Sequence, residues 1–521
     1  MAESDAAGVG GIKSPPKGMD ESARRKVTAA LMLAMAVVAM EQTVVSPAMP
    51  SIIFSLKGLE IYPWVFSAYL LASTVMTPVY GKLADLWGRK KILLGGLALF
   101  TVGSVLAGMS ASMPGLIAMR VVQGLGAGAV GPVILTMLGD LFTLEERAKV
   151  QGWFSAVWGV SSVAGPTLGG YLTEDWSWRC VFYVTVPFAA VAAYVLVRHV
   201  HEDIQAARHP RPIDWPGALG LGVGSALLLL AVLLPGASMA QVLGLIGIAA
   251  VILGGFIAWE NRAPDPILPP DLMTQVPIAA AIAVSFVIGA LMFGIDTYIP
   301  LYVQGVLGWG PKAGGWIISP MFLSWAISVA VAARVVVRFG FRATAVAGLT
   351  MISAGVGGLV LGAHWPRHAI AIFSASLVVI GFGMGPGSLS CILNVQNAVP
   401  WNRRGVATGA VTFFRSMGGA LGVGFLGATL AFEFSRRLIS AHAGDVDIVA
   451  ALRPETHHLL TADQLRVVQG ALGVTLRDVL LQMFALAVVA VFLATRLAPG
   501  RATTRVDDAP AESLSLAAIE H

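Results

Sequence analysis

Four ionisable side chains stand inside apolar runs that would otherwise carry no charge. Glu41 lies in VVAMEQTVVSPAMP (37–50), Arg120 in LIAMRVVQGLGAG (116–128), Asp296 in GALMFGIDTYIPLYVQ (289–304) and Arg415 in RGVATGAVTFFRSMGGALG (404–422). A charge near the middle of a bilayer costs about 2.5–3.5 kcal/mol on insertion scales, so residues of this kind mark function. Desolvation favours the neutral form of a buried carboxyl and a nearby cation favours the ionised one. A side chain balanced between the two can take up and release protons near neutral pH. Glu41 is therefore a candidate proton-coupling group; the bland alternative is a carboxylate locked to an arginine for structure. Arginine does not give up its proton, so Arg120 either modulates a neighbouring acid or snorkels to the interface. Asp296 has three readings: a second proton site, a contact for a cationic substrate, or a hydrogen bond to Tyr298 or a neighbouring helix. Arg415 is a candidate to pair with an acid on another helix.

The elements that position these residues follow from composition. The chain has 521 residues, 56% hydrophobic and 12% charged, against roughly 25% charged in soluble proteins. Apolar runs recur along its whole length, with none of the short alternating strands of a barrel. The expected fold is an all-α polytopic membrane protein. Fourteen candidate spans can be drawn: 27–50, 62–81, 92–109, 114–138, 150–171, 181–197, 215–234, 240–259, 277–303, 313–333, 343–362, 369–390, 405–432 and 474–493. The polar first 26 residues end in Arg24, Arg25 and Lys26, but no small-residue cleavage site follows, so the first run reads as a retained helix.

Charge orients the spans. With the N-terminus inside, 23 Lys and Arg residues fall in inner segments and four in the short outer loops, the long segment 433–473 set aside. By the positive-inside rule both termini are cytoplasmic. The expected division is a tail over 1–26, a six-helix half over 27–197, and a basic linker with two inserted helices over 198–276. A second six-helix half over 277–495 follows, with the outer loop 433–473, and then a tail over 496–521. A weak internal repeat agrees: GKLADLWGRKK (81–91) and ARVVVRFGFRA (333–343) each place a glycine seven residues in, at an offset of 252. Parallel six-helix halves about a midplane site are one transporter architecture. Cys180 and Cys391 offer neither a disulfide framework nor metal spacing. The net charge of +5 suits basic loops at an anionic membrane face, and no basic stripe interleaved with aromatics points to nucleic acid.

Several stretches together resemble one family. GKLADLWGRKK is similar to the cytoplasmic loop motif of the major facilitator superfamily, and LIAMRVVQGLGAG to its fourth-helix motif through Arg120, Gln123 and Gly124. GVSSVAGPTLGG (159–170) resembles the fifth-helix motif associated with antiporters, through Gly159, Gly165, Pro166, Gly169 and Gly170. EQTVVSPAMPSI (41–52) looks like the first-helix motif of the fourteen-helix drug:proton antiporters, the QacA/EmrB-type group. WSWRCVFYVTVPF (176–188) and the stretch around Arg415 are also similar. Two departures stand out: Glu41 replaces the usual aspartate, and Val337 takes the place of Asp85 in the second repeat.

The resemblance implies a fold of two six-helix halves with two extra helices between them. It supports a proton-coupling role for Glu41 with Arg120, to which Asp296 is added as the second membrane acid, and makes Gly81, Asp85, Gly88 and Arg89 a conformational latch. A pliant fifth helix at the interface of the halves would serve alternating access, although close packing explains its glycines equally well. Gln42, Gln123, Trp158, Phe293 and Arg415 are candidates for the substrate cavity, with Met40, Phe66, Tyr69, Trp153, Met292 and Phe414 as further apolar choices. His442, His457 and His458 read as a solvated outer loop. The expected function is proton-coupled efflux of amphipathic drugs or other hydrophobic compounds across the cytoplasmic membrane by a monomer, driven by the proton gradient without cofactor or metal. The alternatives are an exporter dedicated to one endogenous metabolite or lipid, and a proton-coupled importer. An enzyme is disfavoured, since no phosphate-cradling loop, nucleophile elbow or HExxH set interrupts the apolar runs.

Overall fold

The computed structural model of the chain describes residues 21–142, 144–200, 214–234, 237–264, 266–268, 270–400, 403–441 and 461–500, and every regular element within them is helical. Eleven helical segments among them are long and apolar enough to cross a membrane. The first combines α1 (Glu21–Val44), a 3-10 turn (Ser46–Ala48) and α2 (Met49–Leu56). Pro47 and Pro50 sit in the first turns of the two short pieces, where a missing N–H costs no helical bond. α1 starts ahead of the expected span because Glu21 and Arg25 pair one turn apart at 2.6 Å.

The next elements are α3 (Trp64–Trp87), α4 (Arg89–Gly108), α5 (Met113–Leu141), α6 (Leu144–Asp175), α7 (Cys180–Tyr183) and α8 (Thr185–His199). They are followed by α9 (Trp215–Leu233), α10 (Met239–Glu260) and the short α11 (Pro270–Met273). The chain continues through α12 (Val276–Gly305), α13 (Pro311–Phe339), α14 (Phe341–His364), α15 (Ala369–Ala398) and α16 (Arg404–Ser440). The last helix, here α17, is Ala462–Ala494. α3, α6 and α9 fall where the second, fifth and seventh spans are expected but lie outside the eleven, α9 by its shorter apolar run.

Packing divides the helices into two bundles. In the first, α1 lies along α6 and α8, and both α3 and α4 pack on α5. In the second, α12 lies along α16 and α17, and α15 packs on α13 and α14. The bundles meet chiefly where α13 lies against α6 and α16 against α3, and the 3-10 turn at Ser46–Ala48 adds contacts with α12 and α13. The second long helix of each bundle thus contacts the fifth of the other, as expected for two parallel repeats. α9 and α10 pack on each other, and α9 touches α3 and α16. α10 is apolar all round and almost wholly exposed, the pattern of a helix facing lipid.

Two expectations need correction. The stretch GKLADLWGRKK, expected as the loop between the spans 62–81 and 92–109, is helical on both sides of one glycine. α3 continues through Gly81 to Trp87, and Gly88 alone, at φ +94°, separates it from α4. In the second repeat Gly340, at φ +87°, alone separates α13 from α14. One residue in the left-handed region suffices to reverse the chain, and glycine is the residue that reaches it without strain. The segment 433–473 is likewise helical at both ends. Arg436 pairs with Glu433 at 2.7 Å, and Arg437 joins Asp478 of α17 at 2.5 Å. Thr461 and Gln464 form a capping box at the start of α17. Ion pairs and caps sustain helix where apolar periodicity stops, so hydropathy alone ends these helices too early. The middle of that segment, with His442, His457 and His458, lies outside the described residues, as do 1–20, 501–521 and most of the expected basic linker.

Candidate functional site

Arg120 is the centre of a buried polar network. It is 1% exposed and Glu41 is not exposed at all. One guanidinium nitrogen donates to Glu41 Oε1 and to Gln123 Oε1, each at 2.6 Å, while Nε donates to the Val65 carbonyl at 3.0 Å. Gln123 Nε2 passes the chain on to Ser104 Oγ at 3.1 Å, and Ser104 donates to the Phe182 carbonyl at 2.8 Å. The network therefore ties α1, α3, α4, α5 and α7. The Tyr69 ring lies under the guanidinium at 4.2 Å to its centroid, a cation–π contact that offsets part of the lost hydration. The partner of Oε1, Glu41 Oε2, is buried with no hydrogen-bond partner. Breaking one side of such a pair would leave a bare buried charge, at a cost of about 3–5 kcal/mol.

Beside this network lies a cavity of about 1240 Å³ between the bundles. It reaches the end of the molecule that carries the Gly88 turn, since Leu86, Arg89, Thr136 and Gln396 line it. Deeper, its wall includes Gln42, Tyr69, Trp158, Met292, Phe293 and Arg415. Four of the five expected cavity residues are thus on the wall. Gln123 is not among the lining residues: it is fully buried and committed to Arg120 and Ser104. Tyr69 belongs to both places, with its ring against Arg120 and the residue itself on the cavity wall. Trp158 stacks edge-on against Trp325 of α13 at 5.4 Å.

The opposite end is closed by contacts between the bundles. Ser46 donates to the Asp296 carbonyl, Ser67 to that of Ala420 at 2.7 Å, and Gln304 to that of Pro47 at 2.9 Å. Lys312 binds Asp175 at 2.6 Å through Nζ and Glu174 at 2.9 Å through its backbone N–H. Asp296 sits in this seal, 1% exposed, with both carboxylate oxygens lacking a hydrogen-bond partner. Tyr298 does not serve it; that hydroxyl donates to the Val423 carbonyl at 2.6 Å. Asp296 is not among the residues lining the cavity, although Met292 and Phe293, one turn before it in α12, are. Polar residues inside apolar runs were the available signal for Ser46, Ser67 and Gln304, but nothing in their spacing named their partners.

The remaining candidates fall in two places. Gly165 and Gly169 face α1, where an added Cβ would strike Thr43 and the Val44 carbonyl. A Cβ on Gly170 would lie 2.6 Å from the Pro311 carbonyl, and one on Gly315 would strike the Pro166 carbonyl. Gly159 is looser, with Ala326 at 3.2 Å. This stretch of α6 is thus wedged between α1 and α13. At the other end Arg89 donates to the Thr136 carbonyl at 3.3 Å, binding the start of α4 to the end of α5. Gly81 lines the cavity and has nothing within 4 Å of an added Cβ. Asp85 lies in the last turn of α3, its side chain outside the description.

Comparison with known proteins agrees with this architecture. A family model described as Major Facilitator Superfamily matches residues 31–423. The chain is 34% identical over 416 residues to the Multidrug transporter protein MdtP of Bacillus subtilis (strain 168), covering 79% of this chain and 76% of that one. It is 32% identical over 428 residues to Multidrug resistance protein 3 of the same organism, covering 81% and 83%. Among solved structures, a bacterial homolog of the human lysosomal transporter Spinster, inward-facing and occupied, superposes with a TM-score of 0.68 at 14% identity, over 92% of this chain and 98% of that one. A match of this extent places the chain: it belongs to the Major Facilitator Superfamily, as a polytopic membrane transporter.

Proposed function

We propose that this transporter is a proton-coupled exporter of amphipathic compounds, of the fourteen-helix drug:proton antiporter type. On this reading α3, α6 and α9 complete the fourteen spans, both termini are cytoplasmic, and the protein works as a monomer in the cytoplasmic membrane. The names of its relatives support efflux of drug-like compounds. The observation that carries the coupling is the position of the Glu41–Arg120 pair. It is sealed from solvent, yet touches the cavity through Gln42, the next residue in α1, and through the shared Tyr69 ring.

In this reading the structure is the inward-open form, with Glu41 ionised and held by Arg120. Substrate enters from the cytoplasm, and the wedge of α6 against α1 and α13 lets the bundles rock to open the sealed end. A proton from outside then neutralises Glu41, freeing Arg120 to shift against Tyr69 and release the substrate. Asp296, uncovered as the seal parts, is placed to take a second proton. The Gly88 turn and Arg89 serve as the latch that restores the inward-open form. Inside-out vesicles with an imposed pH gradient test this. Glu41→Gln keeps an acceptor for Arg120, so the variant should insert and fold but lose proton-driven flux. Wild-type flux in that variant would exclude coupling through this residue.

A further inference from the structure

Among the described residues, the charged side chains that line the cavity are basic. Lys82, Arg89, Arg404 and Arg415 line it, and none of the described lining residues is acidic. The two membrane acids lie elsewhere, Glu41 bound to Arg120 and Asp296 within the seal. Three of the cations stand toward the mouth, where Arg89 donates to the Thr136 carbonyl and Arg404 to that of Gln396 at 3.0 Å. Arg415 is different. It lies more than two turns inside α16, its backbone pressed on Gly289. It lines the cavity, and among the described residues no hydrogen bond or ion pair engages its guanidinium.

A guanidinium in a narrow, partly apolar space is costly without an acceptor, and its planar fork of donors matches a carboxylate, sulfonate or phosphate. Phe293, Met292, Phe413 and Trp158 on the same wall offer surface for an apolar body. Resting on the efflux reading above, we propose that the transported compound is an amphipathic organic anion whose acidic group docks on Arg415. The Glu41–Arg120 network then carries the proton, and Arg415 carries the substrate charge.

Equilibrium binding to the purified full-length protein tests this without any pH gradient. Radiolabelled taurocholate, an amphipathic sulfonate, is compared with tetraphenylphosphonium, an amphipathic cation. Taurocholate should bind saturably and resist displacement by tetraphenylphosphonium. Arg415→Gln should weaken that binding at least tenfold, and Arg415→Lys, which keeps the charge, by less. Absence of saturable taurocholate binding to the wild type, preference for tetraphenylphosphonium, or unchanged taurocholate affinity in Arg415→Gln would each overturn the proposal. If Arg415→Gln does not fold, the wild-type comparison decides alone. Cation binding with intact pH-driven flux removes only this inference. Anion binding that depends on Arg415, without pH-driven flux, supports it and removes only the coupling reading.

Discussion

Lys90, two residues past Gly88, donates from Nζ to the carbonyls of Val197 and Val200 at 2.9 and 2.6 Å; Arg342, two residues past Gly340, donates from Nε to the Leu497 carbonyl at 2.8 Å. In each bundle a single left-handed glycine reverses the chain, and the cation that follows binds free carbonyls at the end of the last helix of that bundle. Those carbonyls have no partner within their own helix, and a cation suits the negative end of the helix dipole. The equivalence holds although Val337 has replaced the acid of the first repeat. The turn and the cation are therefore the parts of the motif common to both halves.

The two glycines of GKLADLWGRKK should respond oppositely to substitution. Gly88→Ala forces a side chain into a region where only glycine rests easily, at a cost of about 1–3 kcal/mol. Gly81 is helical with open space around it, so Gly81→Ala should be neutral or stabilise by up to about 1 kcal/mol. Thermal melting of the two purified variants checks this; equal destabilisation would contradict the assigned helix boundary.

Arg120 and Glu41 should be strongly coupled. Arg120→Met alone leaves the Glu41 carboxylate buried without a cation, costing about 3–5 kcal/mol. The double variant Glu41→Gln with Arg120→Met removes both charges and should melt higher than Arg120→Met alone. A double-mutant cycle from the four melting curves gives the coupling directly, and an additive result would mean that the pair is not formed.

Asp296 should separate stability from transport. Its carboxylate is buried without partners, so Asp296→Asn removes the larger part of a desolvation cost. The melting temperature should rise by a few degrees. If the second-proton role proposed above holds, pH-driven flux falls in the same variant. Lower stability would indicate an acceptor role in the closed form.

Enlarging Gly170 should open the seal. A Cβ there meets the Pro311 carbonyl and the Lys312 backbone, beside the Lys312–Asp175 ion pair. Gly170→Val should drive α6 from α13 and expose Ser319, which contacts Thr167 across the interface at 3.0 Å. With Cys180 and Cys391 replaced by serine, Ser319→Cys should react several-fold faster with a membrane-impermeant maleimide in the Gly170→Val background. Gly159→Ala, where Ala326 leaves more room, should change the rate little.

Hydropathy and charge were enough to read a helical membrane protein, the approximate position of its long helices and its membrane acids, because each apolar run must satisfy its own backbone in lipid. The repeat was legible too, since a glycine and a flanking cation are required locally at each turn. Helix ends were not legible where ion pairs and caps outlast the apolar pattern, as at Ser440 and Ala462. Nor was the partition of polar residues among sites. Sequence assigned Glu41 and Asp296 alike to proton coupling, and Gln42 and Gln123 alike to the substrate cavity. Packing separated the members of each set: Gln42 lines the cavity whereas Gln123 joins Glu41 on Arg120, and Asp296 lies in the seal. The reason is distance: backbone satisfaction is decided within a few residues, whereas a buried side chain finds its partner on another helix, 79 residues away for Glu41 and Arg120.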